Sequence, residues 1–386
     1  MEENVSSKIR FQTTSEHTSE TEEPSPKSSE KTIKFRHKFY NSASDEEWQD
    51  WKWQIRNSIT TYEELFRTFG SSDYELSDDI NLPLRITPYY ASTITSLSTG
   101  IGKCVIPTSK ELIVTENELN DSLHEKEQSP VECIVHRYPD RVLFLTTDFC
   151  SSNCRYCTRS RLVNRENISR KMWNKGFNYI KNHPEIHDVL FSGGDIFSLD
   201  DNSIEYLLNE IRKIPHVQFV RLGTKIPVVM PMRITTKLVK MLRKYKVFVN
   251  IHFTHPDEIT TEVENVCDIL VDSGIPLGSQ TVLLKDVNDN IETMKTLMHK
   301  LLMIRVKPYY LYIADRVVGT SHFRTSITRG LEIINGLRGY TSGMAVPHLI
   351  LDSQYGKIDI SDNIISHKDN IYELKTYMGK NLIYKE

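Results

Sequence analysis

At 386 residues, with 39% hydrophobic and 26% charged side chains, the chain holds enough apolar material for one large domain with an extension, or for two domains. Its formal net charge of −3 gives no basic surface for nucleic acid, and no apolar run reaches the length of a membrane span. The N-terminus lacks the apolar stretch of a secretory signal and is too acidic for an organelle transit peptide, so the chain reads as cytoplasmic, where disulfides among its 6 cysteines are not expected.

Residues 1–34 are rich in Ser, Thr, Glu and Lys, with Phe11 the single aromatic side chain. Such a composition cannot bury enough surface to offset its ordering entropy, which predicts a disordered tail. Residues 35–130 read as a helical region. Ser44-Asp-Glu-Glu47 is a capping box, after which Trp48, Trp51, Ile55 and Ile59 recur at helical spacing. A second box, Thr61-Tyr-Glu-Glu64, opens a short helix stopped by Gly70, and Ser129-Pro130 marks the boundary.

From residue 131 to 345 strand and helix signals alternate. The predicted strands are Val142–Thr146, Val189–Ser192, Phe219–Gly223, Val247–His252, Leu277–Leu283 and Val306–Leu311, with amphipathic stretches between them. Six β-then-α units predict an α/β fold around a parallel sheet with right-handed crossovers, either a partial (β/α)6 barrel or an open doubly wound sheet. In both, chemistry belongs at the C-terminal strand ends. Residues 346–386 read as one more apolar run followed by a polar tail.

Directly after the first predicted strand stands Cys150-Ser-Ser-Asn-Cys154-Arg-Tyr-Cys157, three thiols at C-x3-C-x2-C. Three thiolates on one loop with no fourth nearby suit an iron–sulfur cluster that keeps one iron open. Structural zinc requires a closed set of four, and ordinary buried thiols need no such spacing. At the other strand ends lie Ser192-Gly193-Gly194-Asp195, whose glycines permit close backbone approach and expose N–H donors, then His252 with His255, and Gln280. Upstream, His136-Arg137-Tyr138-Pro-Asp-Arg141 offers two guanidiniums and a phenol for a phosphate and a ring. Arg155, Arg159 and Arg161 flank the cysteines as natural carboxylate partners.

Taken together, HRYPDR at 136–141, CSSNCRYCTR at 150–159, SGGD at 192–195, RLGTKIPVVMPMRIT at 221–235, IHFTHPDEIT at 251–260, PLGSQTVLL at 276–284 and KPYYLYIAD at 307–315 resemble the lysine 2,3-aminomutase family of radical S-adenosylmethionine (SAM) enzymes. ITPYY at 86–90 and LHEKEQSPV at 123–131 extend the resemblance, which runs from about Phe39 to Lys357. It implies a radical SAM barrel with a [4Fe–4S] cluster on Cys150, Cys154 and Cys157. It also implies SAM on the open iron beside Ser192, Gly193, Gly194, Asp195, His252 and Gln280, and a low-potential electron donor. Pyridoxal 5′-phosphate (PLP) would join Lys357 as a Schiff base, with Arg137, Tyr138 and Arg141 about its phosphate and ring and Tyr312 against the ring. Arg159 would clamp the carboxylate of a small-molecule amino acid. Asp315 and Asp352 would receive a distal ammonium, which favours L-lysine and β-lysine formation over arginine, glutamate or a protein-bound lysyl group.

Two departures from the family pattern stand out. The loop Asp352-Ser-Gln-Tyr-Gly-Lys357 is shorter and less glycine-rich than the family's. The cysteine-rich C-terminal zinc tail has no counterpart, and Asn290 stands where its upstream ligand would be, so no zinc is expected while a homo-oligomer remains open.

Overall fold

A computed structural model of the chain describes residues 28–70, 80–98, 100–164 and 168–386. Most of the predicted disordered tail lies outside these residues. Its last part does not behave as predicted, because Glu30–Phe39 is a helix capped by the Ser29 side chain, with Glu30 in its first turn and three basic residues in its last. The tryptophan stripe also resolves differently. Asp50 ends the helix Asp45–Gln49 and caps a second one, Trp51–Arg56, by accepting from the Lys52 and Trp53 amides. Trp48 and Trp53 thereby meet in a small separate core with Ala43 and Tyr89.

The barrel is a nine-stranded sheet in sequential order. Its strands are β1 (Ile134–Tyr138), β2 (Arg141–Thr147), β3 (Asp188–Gly193), β4 (Phe219–Thr224), β5 (Phe248–His252), β6 (Leu277–Leu283), β7 (Lys307–Ile313), β8 (His348–Leu351) and β9 (Ile358–Asp359). Neighbours from β2 to β8 are parallel, while β1 and β9 are antiparallel edges. The six expected β/α units are therefore followed by a seventh parallel strand, which the sequence reading left as an apolar run.

Alternation along each strand divides the side chains between two environments. In β3, Val189 and Phe191 are fully buried under helices such as Arg170–Lys181 and Asp201–Arg212, whereas Leu190 and Ser192 line an interior cavity. The same holds in β5 for Val249 and Ile251 against Asn250 and His252. The cavity is lined by residues of every strand from β1 to β7 together with Asp352 and Lys357, so the sheet curls around it. Side chains, not a strand pair, bridge the gap between the two sheet edges. Arg137 reaches Asp352 at 3.0 Å, Gln128 donates to the Gln354 carbonyl at 2.9 Å, and the Lys357 amide donates to the Tyr138 hydroxyl at 2.8 Å.

The expected polar tail is instead a three-stranded antiparallel sheet, β10 (Ile364–Lys368), β11 (Ile371–Lys375) and β12 (Asn381–Lys385). Its anchor is the alternation in β11, which buries Tyr372 and Leu374 in the main core.

Candidate active site

The cavity has a volume of about 650 Å³, and the cysteine loop forms part of its wall. What shapes that loop is the residues between the thiols. The Asn153 amides donate to the Arg85 and Pro83 carbonyls at 3.0 and 2.9 Å, and the Arg155 amide donates to the Cys104 carbonyl at 2.8 Å. The Arg155 guanidinium, 2% exposed, is held by Glu111 and by the Leu82 and Pro83 carbonyls. Arg155 is thus a strut to the helical region and no substrate ligand. With these residues fastened outward, Cys150, Cys154 and Cys157 line the cavity. Burial, and then the charge of the neighbouring thiols, pushes Cys150 well up and Cys157 to about 11. Such thiols stay protonated until a strongly binding metal group displaces the protons.

The donor set suits a cluster: three thiols of one loop line the same cavity, and thiolates are the usual ligands of iron–sulfur centres.

Ser192, Gly193, Gly194 and Asp195 lie beside this loop. A Cβ on Gly194 would stand 2.3 Å from the Phe149 carbonyl oxygen, and one on Gly193, at φ +124°, 2.5 Å from that of Thr147. The glycines therefore let this segment lie backbone to backbone on the cysteine loop. Contrary to the expectation of exposed N–H donors here, Gly194 N–H donates to the Thr147 carbonyl at 2.6 Å and Asp195 N–H to that of Phe149 at 3.0 Å. The Asp195 carboxylate is likewise engaged within the protein, accepting from Phe197, Lys225 and Ile226 amides and the Thr224 hydroxyl. It ties the ends of β3 and β4 together.

His252 and Gln280 face one another in register across β5 and β6, and both line the cavity. Among the described residues His252 Nε2 is buried without a partner, and burial, then the nearby Lys225 charge, lowers the ring to about 3, so it is neutral. An unpartnered buried nitrogen on the cavity wall is a vacancy for a ligand's polar atom. The Gln280 amide donates to the Tyr309 hydroxyl. His255 departs from expectation: it caps the turn Pro256–Glu258 and does not line the cavity.

A third group closes the cavity. Lys357 Nζ lies 2.7 Å from Asp352 Oδ2 and 5.5 Å above the Tyr312 ring. The short loop thus delivers the lysine into the cavity, its bend taken by Gly356 at φ +102°, where a Cβ would stand 3.0 Å from the Tyr138 ring. Arg141 stacks on Tyr138 at 3.9 Å and, among the described residues, pairs only with half-exposed Asp140. Arg137, by contrast, is already filled by Gln128, the Leu123 carbonyl and Asp352.

Comparison with known proteins bears directly on this cavity. Residues 144–298 match the radical SAM superfamily. The chain is 44% identical over 366 residues to L-lysine 2,3-aminomutase of Clostridium subterminale, covering 92% of this chain and 88% of that one. L-lysine 2,3-aminomutase of Acetoanaerobium sticklandii is also 44% identical, over 92% and 88% of the two chains. Glutamate 2,3-aminomutase of Clostridioides difficile is 39% identical over 88% and 83%. The chain belongs to the lysine 2,3-aminomutase family. Enzymes of this family work with a [4Fe–4S] cluster, SAM and PLP.

Within this aminomutase the charged groups of the cavity are almost all paired. Asp188 pairs with Arg221, Glu125 with Arg159 and Arg161, and Asp352 with Arg137 and Lys357. Asp315 is different. Among the described residues its carboxylate accepts only from the Thr158 hydroxyl, at 2.8 Å, and burial, then the nearby Asp352 charge, raises it to about 7. Lys357 is also raised: burial opposes its charge, but Asp352 and Tyr138 together more than offset burial and hold the ammonium above its usual range.

Glu125 and Thr158 are the functional neighbours that sequence reasoning missed. Glu125 lies inside the LHEKEQSPV block, four residues after Asp121, but nothing in that spacing points to Arg159.

Proposed function

We propose that this chain moves the α-amino group of L-lysine to the β carbon. The observation that carries this reading is Asp315, a half-buried cavity carboxylate that forms no ion pair among the described residues, with Lys357 and Arg159 near it but paired to other carboxylates. Burying a carboxylate without a counter-ion is costly, and a substrate side chain ending in an ammonium removes that cost. A glutamate side chain would instead add a third negative charge beside Asp315 and Asp352. The 44% identity to enzymes named L-lysine 2,3-aminomutase supports the same reading.

In this reading Cys150, Cys154 and Cys157 hold the cluster. Ser192, Gly193, Gly194, Asp195, His252 and Gln280 form the wall for SAM, with His252 Nε2 the open acceptor or donor. Lys357 supplies the amine that holds PLP, Arg141 and Tyr138 meet its phosphate and ring, Tyr312 faces the ring, and Arg137 serves by fixing Asp352. When bound, these groups supply the hydrogen-abstracting radical and the conjugated system across which nitrogen migrates between neighbouring carbons. The chain's own part is positional. Lys357 must give up a proton before it can act as a nucleophile, and Asp352, at 2.7 Å, is the group beside that proton. Arg159 takes the substrate carboxylate, and Asp315 with Asp352 takes the ε-ammonium. Residues 131–345 form the catalytic unit, 35–130 its support, and 346–386 carry Lys357.

The test is an anaerobic assay of the reconstituted protein with SAM, PLP, a strong reductant and a panel of amino acids, read by mass spectrometry. β-Lysine from lysine is the expected product. β-Arginine or β-glutamate in its place would keep the chemistry and overturn the substrate assignment.

A pH dependence follows from Asp315. Below about pH 7 the carboxyl is protonated, so a substrate ammonium must displace its proton on binding. The affinity for lysine relative to norleucine, which lacks the ammonium, is expected to rise by about tenfold per pH unit up to about 7 and then level off. Taking the ratio cancels the titration of the shared α-amine. A ratio that stays flat from pH 5.5 to 8 would sink the ammonium subsite.

A further inference from the structure

Arg159 is gripped from one side only. Its Nε lies 3.0 and 3.1 Å from the two Glu125 carboxylate oxygens and its Nη2 lies 2.6 Å from one of them. Its Nη1 makes no hydrogen bond among the described residues, and the side chain lines the cavity. Glu125 is itself fixed. Its amide donates to Asp121 at 3.1 Å, its carbonyl accepts from the Ser129 hydroxyl at 2.7 Å, and its carboxylate also receives Arg161 at 3.1 Å. Arg161 also reaches Asp121 at 3.0 Å, so Arg159, Glu125, Arg161 and Asp121 form a chain of alternating guanidiniums and carboxylates.

We propose that Glu125 is a positioning residue that orients Arg159 toward the carboxylate of the amino-acid substrate. The proposal rests on the reading of Arg159 given above. A free arginine side chain samples many rotamers, whereas a carboxylate meeting two edges of the guanidinium sets its plane and leaves one nitrogen to point at a ligand. Charge alone does not explain the arrangement. The chain of four charges is electrically neutral, and Glu125 places a negative charge beside an incoming carboxylate, so what it provides is direction. It also joins the segment before the barrel to the loop after the cysteines, a link no spacing within either segment reveals.

The experiment measures equilibrium binding of L-lysine, and of the five-carbon diamine lacking its carboxylate, to the PLP-loaded protein without SAM. The variants are R159A, E125A, E125D and E125A/R159A. Lysine affinity is expected to fall by about 10- to 100-fold in R159A and in E125A, while diamine affinity is unchanged. The double variant should be no weaker than R159A, and E125D should recover part of the loss. If R159A leaves the lysine-to-diamine ratio unchanged, the assignment of Arg159 falls and the role of Glu125 falls with it. If R159A collapses the ratio but E125A does not, the Arg159 reading stands and the proposal alone fails. Equal weakening of both ligands in E125A marks a merely structural role and also overturns it. Should E125A not fold, E125Q is read against the same outcomes.

Discussion

Lys357→Ala is expected to reduce lysine rearrangement by on the order of 10⁴-fold or more, with no change in iron content. The side chain is the one amine of the cavity placed beside both Asp352 and the Tyr312 ring, at 2.7 and 5.5 Å. Lys225, the other lysine on the wall, is buried in a pair with Glu258 and cannot substitute for it. The variant should therefore lose the visible absorbance of bound PLP after gel filtration. The cysteine loop is fastened by Asn153 and Arg155 to the helical region, far in sequence from this lysine, so cluster assembly is unaffected. Folding should survive as well. Asp352 keeps Arg137 at 3.0 Å when Lys357 is gone, so it is not left unpaired, and the stability loss should stay near 1 kcal/mol. An alanine variant that retained PLP and made β-lysine would remove Lys357 from the mechanism.

Asp315→Asn is expected to lower kcat/KM for lysine by about 10²- to 10³-fold while leaving norleucine binding almost unchanged. Asparagine keeps an oxygen for the Thr158 hydroxyl, so the change removes charge and little else. Asp352→Asn is the less clean variant, because that carboxylate also holds Arg137 and Lys357. A second readout carries a definite sign. Asp315 titrates near 7 in the folded chain, well above the ordinary range of an unfolded aspartate, so between about pH 4 and pH 7 the folded state binds the extra proton. Its contribution to stability thus falls as pH rises through that window. The melting temperature of Asp315→Asn, relative to the parent, should climb from pH 5 to pH 8. A constant difference would mean that Asp315 is an ordinary acid and no receptor for a cation.

Much of this site was legible before any coordinates. The barrel strands follow from period-two alternation between helical stretches, and each predicted strand lies within a residue or two of the observed one. Local geometry explains why the cysteines could be read: all three sit on one loop, so their spacing already contains their convergence. The same is true of Ser192–Asp195, whose place after a strand put it at the catalytic rim. The seventh parallel strand was missed because His348–Leu351 is short and carries no helix after it, and the terminal sheet because only Tyr372 and Leu374 turn inward.

The sequence by itself determined the α/β architecture and the cysteine motif, and its resemblance to a family pointed to the lysine and the pair of aspartates. Tertiary structure alone decided how these groups are partnered. Glu125 meets Arg159 across 34 positions and Arg137 meets Asp352 across 215, distances over which no local periodicity carries information. It also decided that the Gly194 and Asp195 amides bind the Thr147 and Phe149 carbonyls, and that Asp315, unlike the other acids of the cavity, forms no ion pair among the described residues. The curvature of the closing sheet brings these side chains into one volume, and curvature is a property of all the strands together.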